Sequence, residues 1–489
     1  MIRVNLAWLK AAVAGELVGD TSNGHLELDQ VSTDTRTLAP GSLFIALKGP
    51  NFDAHQLVEQ AIAAGAVAVL VDHPLQSSDG QPLPVPQIVV SDTRYALGQL
   101  GAAVKAAVAP KTIAITGSSG KTTVKEMLAA ILAQRGKVLA TAGNFNNDIG
   151  APLTLLRLEP EHQFAVIELG ANHQGEIAYT VGLTQPDVAI INNVAPAHVE
   201  GFGGIHGVYV AKSEIFRGLA ADGLALTPYH SEFAEGWAQQ LADRRHETFG
   251  RAEAAGASNG PDVVATDIEL DSRGCAAFTL SCRQLSQASA RIQLNLPGLH
   301  NVDNALVAIR AALEVGCALA DVQAALGQQQ AVAGRLQVIP VNPQLQLIDD
   351  SYNANVGSVK AALDMLAVYP GQRVMVLGDM GELGQQARQY HEEIGAYAIT
   401  AGIDKLFTVG VLSQSASSLF NGRGGRHFST HNEVVNALLE VIAAAAEQTQ
   451  PLTILVKGSR SARMEKVIQA LQTQLAPSSS DNQEESSAC

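Results

Sequence analysis

Apolar positions along the chain alternate between short unbroken runs and stretches spaced three and four apart, the pattern of buried strands and of the helices that cover them. Residues 42–47, 66–71 and 87–90 read as strands and 57–64 as a helix, which together make a small α/β unit. Ahead of them an apolar stretch at 6–18 is interrupted by Lys10 and Glu16 and lacks a cleavage site, so it predicts an amphipathic first helix and not a signal peptide. A second region opens with a helix at 95–108 and a strand at 112–116, continues with strands at 164–169 and 188–192, and closes with a helix at 301–315. In that helix Val302, Leu306, Ile309 and Leu313 form the core stripe, while Asn301, Asn304 and Ala308 share another face expected to be free for a ligand. From 332 onward strand and helix alternate almost without a break: strands at 345–349, 373–377, 405–409 and 452–456, helices at 356–367, 388–401 and 462–475. A further helix starts at Thr430, which with Glu433 fits a capping box.

This order predicts an α/β protein of three domains: a small N-terminal α/β domain (1–90), a central domain with a mostly parallel sheet (91–331), and a C-terminal doubly wound, Rossmann-like domain (332–476). Pro82, Pro84 and Pro86 stiffen the approach to the first boundary, and the Ser- and Glu-rich tail at 477–489 is expected to be disordered. The length of 489 residues agrees with three domains of ordinary size. With 47% hydrophobic and 16% charged residues the chain has the composition of a globular enzyme. Its net charge of -15 argues against a nucleic-acid partner or an anionic membrane, so any anionic substrate requires locally concentrated positive charge. No apolar run is long enough for a membrane span. Cys275, Cys282, Cys317 and Cys489 form no Cys-x-x-Cys pair and no zinc-finger spacing, which fits a reducing cytoplasm.

The chemistry concentrates first at Gly117-Ser118-Ser119-Gly120-Lys121-Thr122, between the strand at 112–116 and a helix expected from Thr123. A strand, a glycine turn and a helix N-terminus direct backbone N–H groups at phosphates; Lys121 adds charge for the β and γ groups, and the Thr122 hydroxyl suits Mg2+. The usual P-loop spacing would put its first glycine at Ile115, inside the strand, so this loop is a shortened variant. Glu168 ends an apolar strand where open α/β sheets gather ligands, and His198 lies six residues beyond the end of another strand. On the pattern alone, a basic neighbour for Glu168 and a backbone hydrogen bond for His198 account for these two equally well.

Thr116 to Thr123, Gly143-Asn-Phe-Asn-Asn147, Glu168-Leu-Gly170, Ala197-His-Val-Glu200, Ala211-Lys-Ser-Glu214, Leu299-His-Asn-Val-Asp-Asn304, Gly334-Arg335, Asp349-Asp-Ser-Tyr-Asn-Ala-Asn355 and Lys457-Gly-Ser-Arg460 resemble, in order, the motifs of the Mur ligases. The resemblance implies an ATP- and Mg2+-dependent ligase that forms a peptide bond through an acyl phosphate in peptidoglycan synthesis. It implies that residues 117–123 hold ATP, that Thr122, Glu168 and His198 bind the metal, that Asn304 contacts adenine, and that Arg335 and Asp350 reach the nucleotide from the third domain. Lys212 matches a lysine that some of these ligases carry as a carbamate; an ordinary helix-surface lysine is the alternative.

Ser32-Thr-Asp-Thr-Arg36 and Gly41 to Leu47 resemble the UDP-binding domain of the ligases that add the third and last peptide units, with Thr33, Arg36, Lys48 and His55 as contacts, although a solvated loop accounts for each equally. The Asp-Asn-Pro-Arg string of the diamino-acid-adding ligases is absent, whereas Gly378-Asp-Met-Gly-Glu-Leu-Gly384 and Ser351 to Asn355 resemble the D-alanyl-D-alanine-adding branch. The expected substrates are therefore UDP-N-acetylmuramoyl-tripeptide and D-alanyl-D-alanine, bound by Asn144, Asn146, Asn147, Asn353, Asn355, Asp379, Lys457 and Arg460, on a monomer. A helix-capping role for Ser358 is at least as good a reading as a substrate contact. The rivals are a ligase adding the third-position diamino acid and a P-loop protein that binds ATP as a switch.

Overall fold

The computed structural model describes residues 1–19, 26–196, 199–252, 260–283 and 289–476; the predicted disordered tail lies outside them. Three principal sheets organise the chain. The first has five strands in the order Glu16–Val18, Gln87–Val89, Ala68–Val71, Leu43–Ile45, Val31–Ser32, parallel except for Glu16–Val18. The expected first helix is thus corrected: it covers only Leu6–Ala12, where Asn5 caps it by accepting from Trp8 N. Gly15 then packs so closely on Ile88 and Val89 that a Cβ would come within 2.8 Å, and the chain turns there into the edge strand.

The central sheet has nine strands in the order Lys137–Ala140, His162–Glu168, Lys111–Thr116, Val188–Ile191, Leu224–Pro228, Arg245–Arg251, Val263–Leu270, Cys275–Cys282, Ser289–Pro297. The first seven are parallel and the last two antiparallel. Alternate residues of Lys111–Thr116 face opposite layers. Ile113 and Ile115 pack with helices Lys121–Leu132 and His300–Glu314, and Ala114 faces the layer of Thr93–Val108 and Glu176–Thr184. That second layer is continuous with Leu6, Leu43, Leu70 and Ile88 of the first sheet, so the helix Thr93–Val108 is shared packing between the two. Lys111–Thr116 lies between the strands that follow it on either side in the sheet, which makes its carboxyl end the topological switch point where ligands bind in such sheets.

The third sheet has six strands in the order Gln337–Asn342, Leu345–Asp350, Leu452–Lys457, Gln372–Gly378, Lys405–Val409, Gly425–Phe428, all parallel except the first pair. Val356–Ala367 and Ala387–Thr400 cover one face; His431–Glu447 and Glu465–Leu475 cover the other. The predicted Thr430–Glu433 capping box is present. Among the described residues no helix is long and apolar enough to cross a membrane.

Candidate active site

The strand Lys111–Thr116 delivers the glycine turn, and the helix Lys121–Leu132 begins two residues earlier than expected, which places Lys121 and Thr122 in its first turn. Gly120 is left-handed (φ 77°), and a Cβ on it would meet Asn192 Nδ2 at 2.4 Å and Asn304 Oδ1 at 2.6 Å. Only glycine satisfies both the backbone and the space. Ser118 N donates to Asn193 O (3.0 Å), Ser119 N to Asn193 Oδ1 (2.9 Å), and Ser118 Oγ to Ala195 O (2.9 Å), so the loop after Val188–Ile191 holds the turn open toward solvent.

Beside it, the buried carboxylate of Glu168 accepts from Thr122 Oγ1 (2.8 Å) and Asn146 Nδ2 (2.9 Å). Lys121 Nζ donates to Gly117 O at 2.8 Å. Burial lowers its pKa, Glu168 opposes that, and Arg335 adds to it. Lys212, on the helix Ile205–Ser213, is only 3% exposed. Burial, and then the charge of Lys121, hold its ammonium well below the ordinary lysine range. Thr122 and Glu168 offer the hard oxygen donors that suit Mg2+. Thr116 Oγ1 and Asn192 Oδ1, buried beside the turn, have no hydrogen-bond partner in the protein. This donor set fits a Mg2+-nucleotide.

The third domain supplies the facing wall. Lys457 Nζ donates to Asp350 Oδ2 (2.5 Å) and Asn353 O (2.9 Å), and Arg335 stacks on Tyr352, 4.3 Å from the ring centroid. Burial raises the Asp350 pKa, with Lys457 the largest opposing influence. Asn355 Nδ2 donates to Ser118 O at 3.1 Å across 237 positions of sequence, joining the third domain directly to the glycine turn. The enclosed cavity is about 660 Å3.

Most predicted site residues converge here: Ser118 to Thr123, Asn144, Asn146, Asn147, Glu168, Lys212, Asn304, Arg335, Asp350, Asn353, Asn355, Lys457 and Arg460 all line this cavity, with Gly117 forming the base of the turn. His198 lies outside the described residues. Several expectations are corrected. Asn304 is not on a free face: it is buried, donating to Asn301 Oδ1 and accepting from Asn192 Nδ2, and Ala308 is core. Asp379 does not face the cavity; its carboxylate accepts the N–H groups of Val411, Leu412 and Ser413 and fixes that turn. His55 is buried between Asp53 (2.6 Å) and the Asp72 N–H (3.0 Å), which leaves neither ring nitrogen for a ligand. Arg36 is exposed and paired with Asp34, Lys48 is 3.8 Å from Asp53, and Thr33 is half-buried; none of the three lines the cavity. Ser358 completes a capping box with Asn355.

The cavity also contains residues that the sequence reading missed. Arg251 pairs with Asp303 at 3.2 Å. His300 is held down to about 4 by burial and by the charges of Lys457 and Arg251. Tyr352 was inside a recognised motif but not singled out, and Asp303 and His300 lie within Leu299 to Asn304; Arg251 carries no local signal.

A shortened P-loop beside a buried carboxylate, closed by a cationic wall from a second parallel-sheet domain, defines an ATP-dependent ligase, and the chain belongs to the Mur ligase family. Residues 27–105 match the model of the Mur ligase family catalytic domain, 115–312 that of the Mur ligase middle domain, and 334–460 that of the Mur ligase glutamate ligase domain. The UDP-N-acetylmuramoyl-tripeptide–D-alanyl-D-alanine ligase of Escherichia coli (strain K12) is 48% identical over 472 residues, covering 96% of this chain and 99% of that protein. The ligase of the same name from Haemophilus influenzae is 43% identical over 485 residues, covering 97% and 100%. A crystal structure of MurF from Acinetobacter baumannii aligns with a TM-score of 0.87 at 39% identity, covering 96% of this chain and 99% of that one.

Proposed function

We propose that this chain joins D-alanyl-D-alanine to UDP-N-acetylmuramoyl-tripeptide, with ATP converted to ADP and phosphate, giving the UDP-muramoyl pentapeptide used in peptidoglycan synthesis. The observation that carries the reading is the single cavity in which the glycine turn and the third-domain cations face each other across the Asn355–Ser118 hydrogen bond. Three domains, 1–90, 91–331 and 332–476, divide the work: the first for the UDP end, the second for ATP, the third for the incoming amine. All the cavity groups come from one chain, so a monomer suffices. The buried, unpaired Cys275, Cys282 and Cys317 are in keeping with a cytoplasmic reaction.

A carboxylate is a poor electrophile, so the γ-phosphoryl group is first transferred to the tripeptide carboxylate; the amine of the dipeptide then displaces phosphate. The first step brings anions together, and Lys121, Arg335 and the N-terminus of Lys121–Leu132 offset that repulsion. Thr122 and Glu168, with His198, would hold Mg2+, which would neutralise phosphate charge there. Asn146 orients Glu168 through its second oxygen. Lys212, kept neutral by burial, can take up carbon dioxide as a carbamate and so present a further oxygen to that site. ADP release should require both UDP-muramoyl tripeptide and D-alanyl-D-alanine. Equal turnover with a free diamino acid in place of the dipeptide rejects the assignment, and ADP release with neither substrate returns it to a switch.

A further inference from the structure

We infer that Arg460 reads the terminal carboxylate of the dipeptide and that Tyr352 is the positioning residue that sets Arg460 and Arg335 at their separate tasks. The inference rests on the ligase reading above and names the group of the amine substrate that the third domain recognises. D-alanyl-D-alanine carries an amine at one end and a carboxylate at the other, separated by about 7 Å of extended chain. Once the amine reaches the acyl phosphate, the carboxylate must lie outward of the phosphate-binding groups and needs a cation of its own.

The cavity cations sort themselves by their partners. Lys121 is bound to Gly117 O, Lys457 to Asp350 and Asn353, and Arg251 to Asp303. Arg335 acts electrostatically on both Lys121 and Asp350, which puts it on the phosphate side. Arg460 remains. It follows the strand Leu452–Lys457 at the open carboxyl end of the third sheet, lines the cavity and is 67% exposed. Only its Nη1 is engaged among the described residues, with Glu465 Oε1 at 3.2 Å. The Nε and Nη2 edge therefore remains available as the planar fork that matches a carboxylate. Glu465 Oε2 is buried without a hydrogen-bond partner, so the guanidinium rests on a fixed acid and does not swing freely. The Tyr352 ring lies under Arg335 at 4.3 Å and beside Arg460 at 5.9 Å, within range of both cations, and so spaces the phosphate-side guanidinium from the carboxylate-side one.

The test compares D-alanyl-D-alanine with D-alanyl-D-alaninamide, which keeps the amine and both methyl groups but lacks the carboxylate, by ADP release from the full chain with saturating UDP-muramoyl tripeptide. The wild type should show a KM for the amide on the order of 100-fold above that for the dipeptide. Arg460→Gln should raise the dipeptide KM by a similar factor and bring the two compounds together, and Arg460→Lys should recover only part, since an ammonium lacks the fork. Tyr352→Leu should raise the dipeptide KM and also lower kcat, because Arg335 loses its support. If Arg460→Gln retains the wild-type preference, or raises both KM values equally, Arg460 does not read the carboxylate. Equal KM values for the two compounds with the wild type overturn this inference alone, whereas no ADP release with either overturns the ligase reading itself.

Discussion

Replacing Asn355 separates two jobs that one side chain performs. Its Oδ1 accepts from Ser358 N at 2.8 Å and caps the helix Val356–Ala367, while its Nδ2 donates to Ser118 O at 3.1 Å and ties the third domain to the glycine turn. Serine caps helices nearly as well as asparagine but is too short to make the second contact. Asn355→Ser should therefore keep the stability of the third domain and lose only the bridge, about 1 kcal/mol, or roughly fivefold in kcat/KM for ATP if closure precedes phosphoryl transfer. Asn355→Ala loses the cap as well. A further cost of about 1 kcal/mol then lowers the melting temperature by about 2–4 °C. Calorimetry reads the first effect and steady-state ADP release the second. Small-angle scattering checks the cause: the wild type should become more compact when ATP and the UDP-tripeptide are both bound, and Asn355→Ser should do so less completely. If Asn355→Ser matches the wild type in kcat/KM, the bridge plays no part in the reacting form, and a preassembled site would be the better description.

Lys121→Ala removes a charge aimed at the transferring group and should slow kcat by ~100-fold or more while UDP-sugar binding, measured by calorimetry, survives; retained turnover with lost UDP-sugar affinity would mean that the lysine has been misassigned. Lys212→Ala should lose most activity and regain part of it with added acetate or formate. Activity indifferent to bicarbonate depletion, with an unmodified amine in high-resolution density of the metal-bound enzyme, would rule out the carbamate. His300 has a folded pKa of about 4 against an ordinary 6.5, so its neutral form is the one the fold favours. Its contribution is fully present above pH 6.5 and declines as pH falls from 6.5 toward 4. Denaturant unfolding across that range should show a decline that is smaller in His300→Gln, and identical pH profiles would place His300 in contact with water.

The elements with strong periodicity were legible almost to the residue. The third domain's parallel strands are unbroken apolar runs because both faces are covered by helices, and Thr430 with Glu433 announces its helix through local chemistry alone. The strands Val263–Leu270, Cys275–Cys282 and Ser289–Pro297 were not read, since each buries only part of its residues and mixes Thr, Glu, Gln and Asn into the pattern. The site divides in the same way. Lys121, Thr122 and Glu168 are placed by the strands that precede them, so local pattern finds them. Asp379 also follows a strand, yet it is taken up by three amides more than thirty residues away, and Asn304 lies on a polar helix face that another segment happens to cover. Which polar residue is consumed internally and which is left for a ligand depends on contacts that no local window contains.

The contact of Gly120 with Asn192 and Asn304 bears on how the nucleotide pocket comes into being during synthesis. The recognisable phosphate-binding string is complete by Thr123, but the side chains that close in behind it emerge nearly seventy and one hundred and eighty residues later. A nascent chain that has released the string therefore carries its letters without its shape. A truncated protein ending at Gly298 should bind a fluorescent ATP analogue far more weakly than the full chain, even though it retains the entire motif, because the turn is set by long-range partners and closing that loop is a late event.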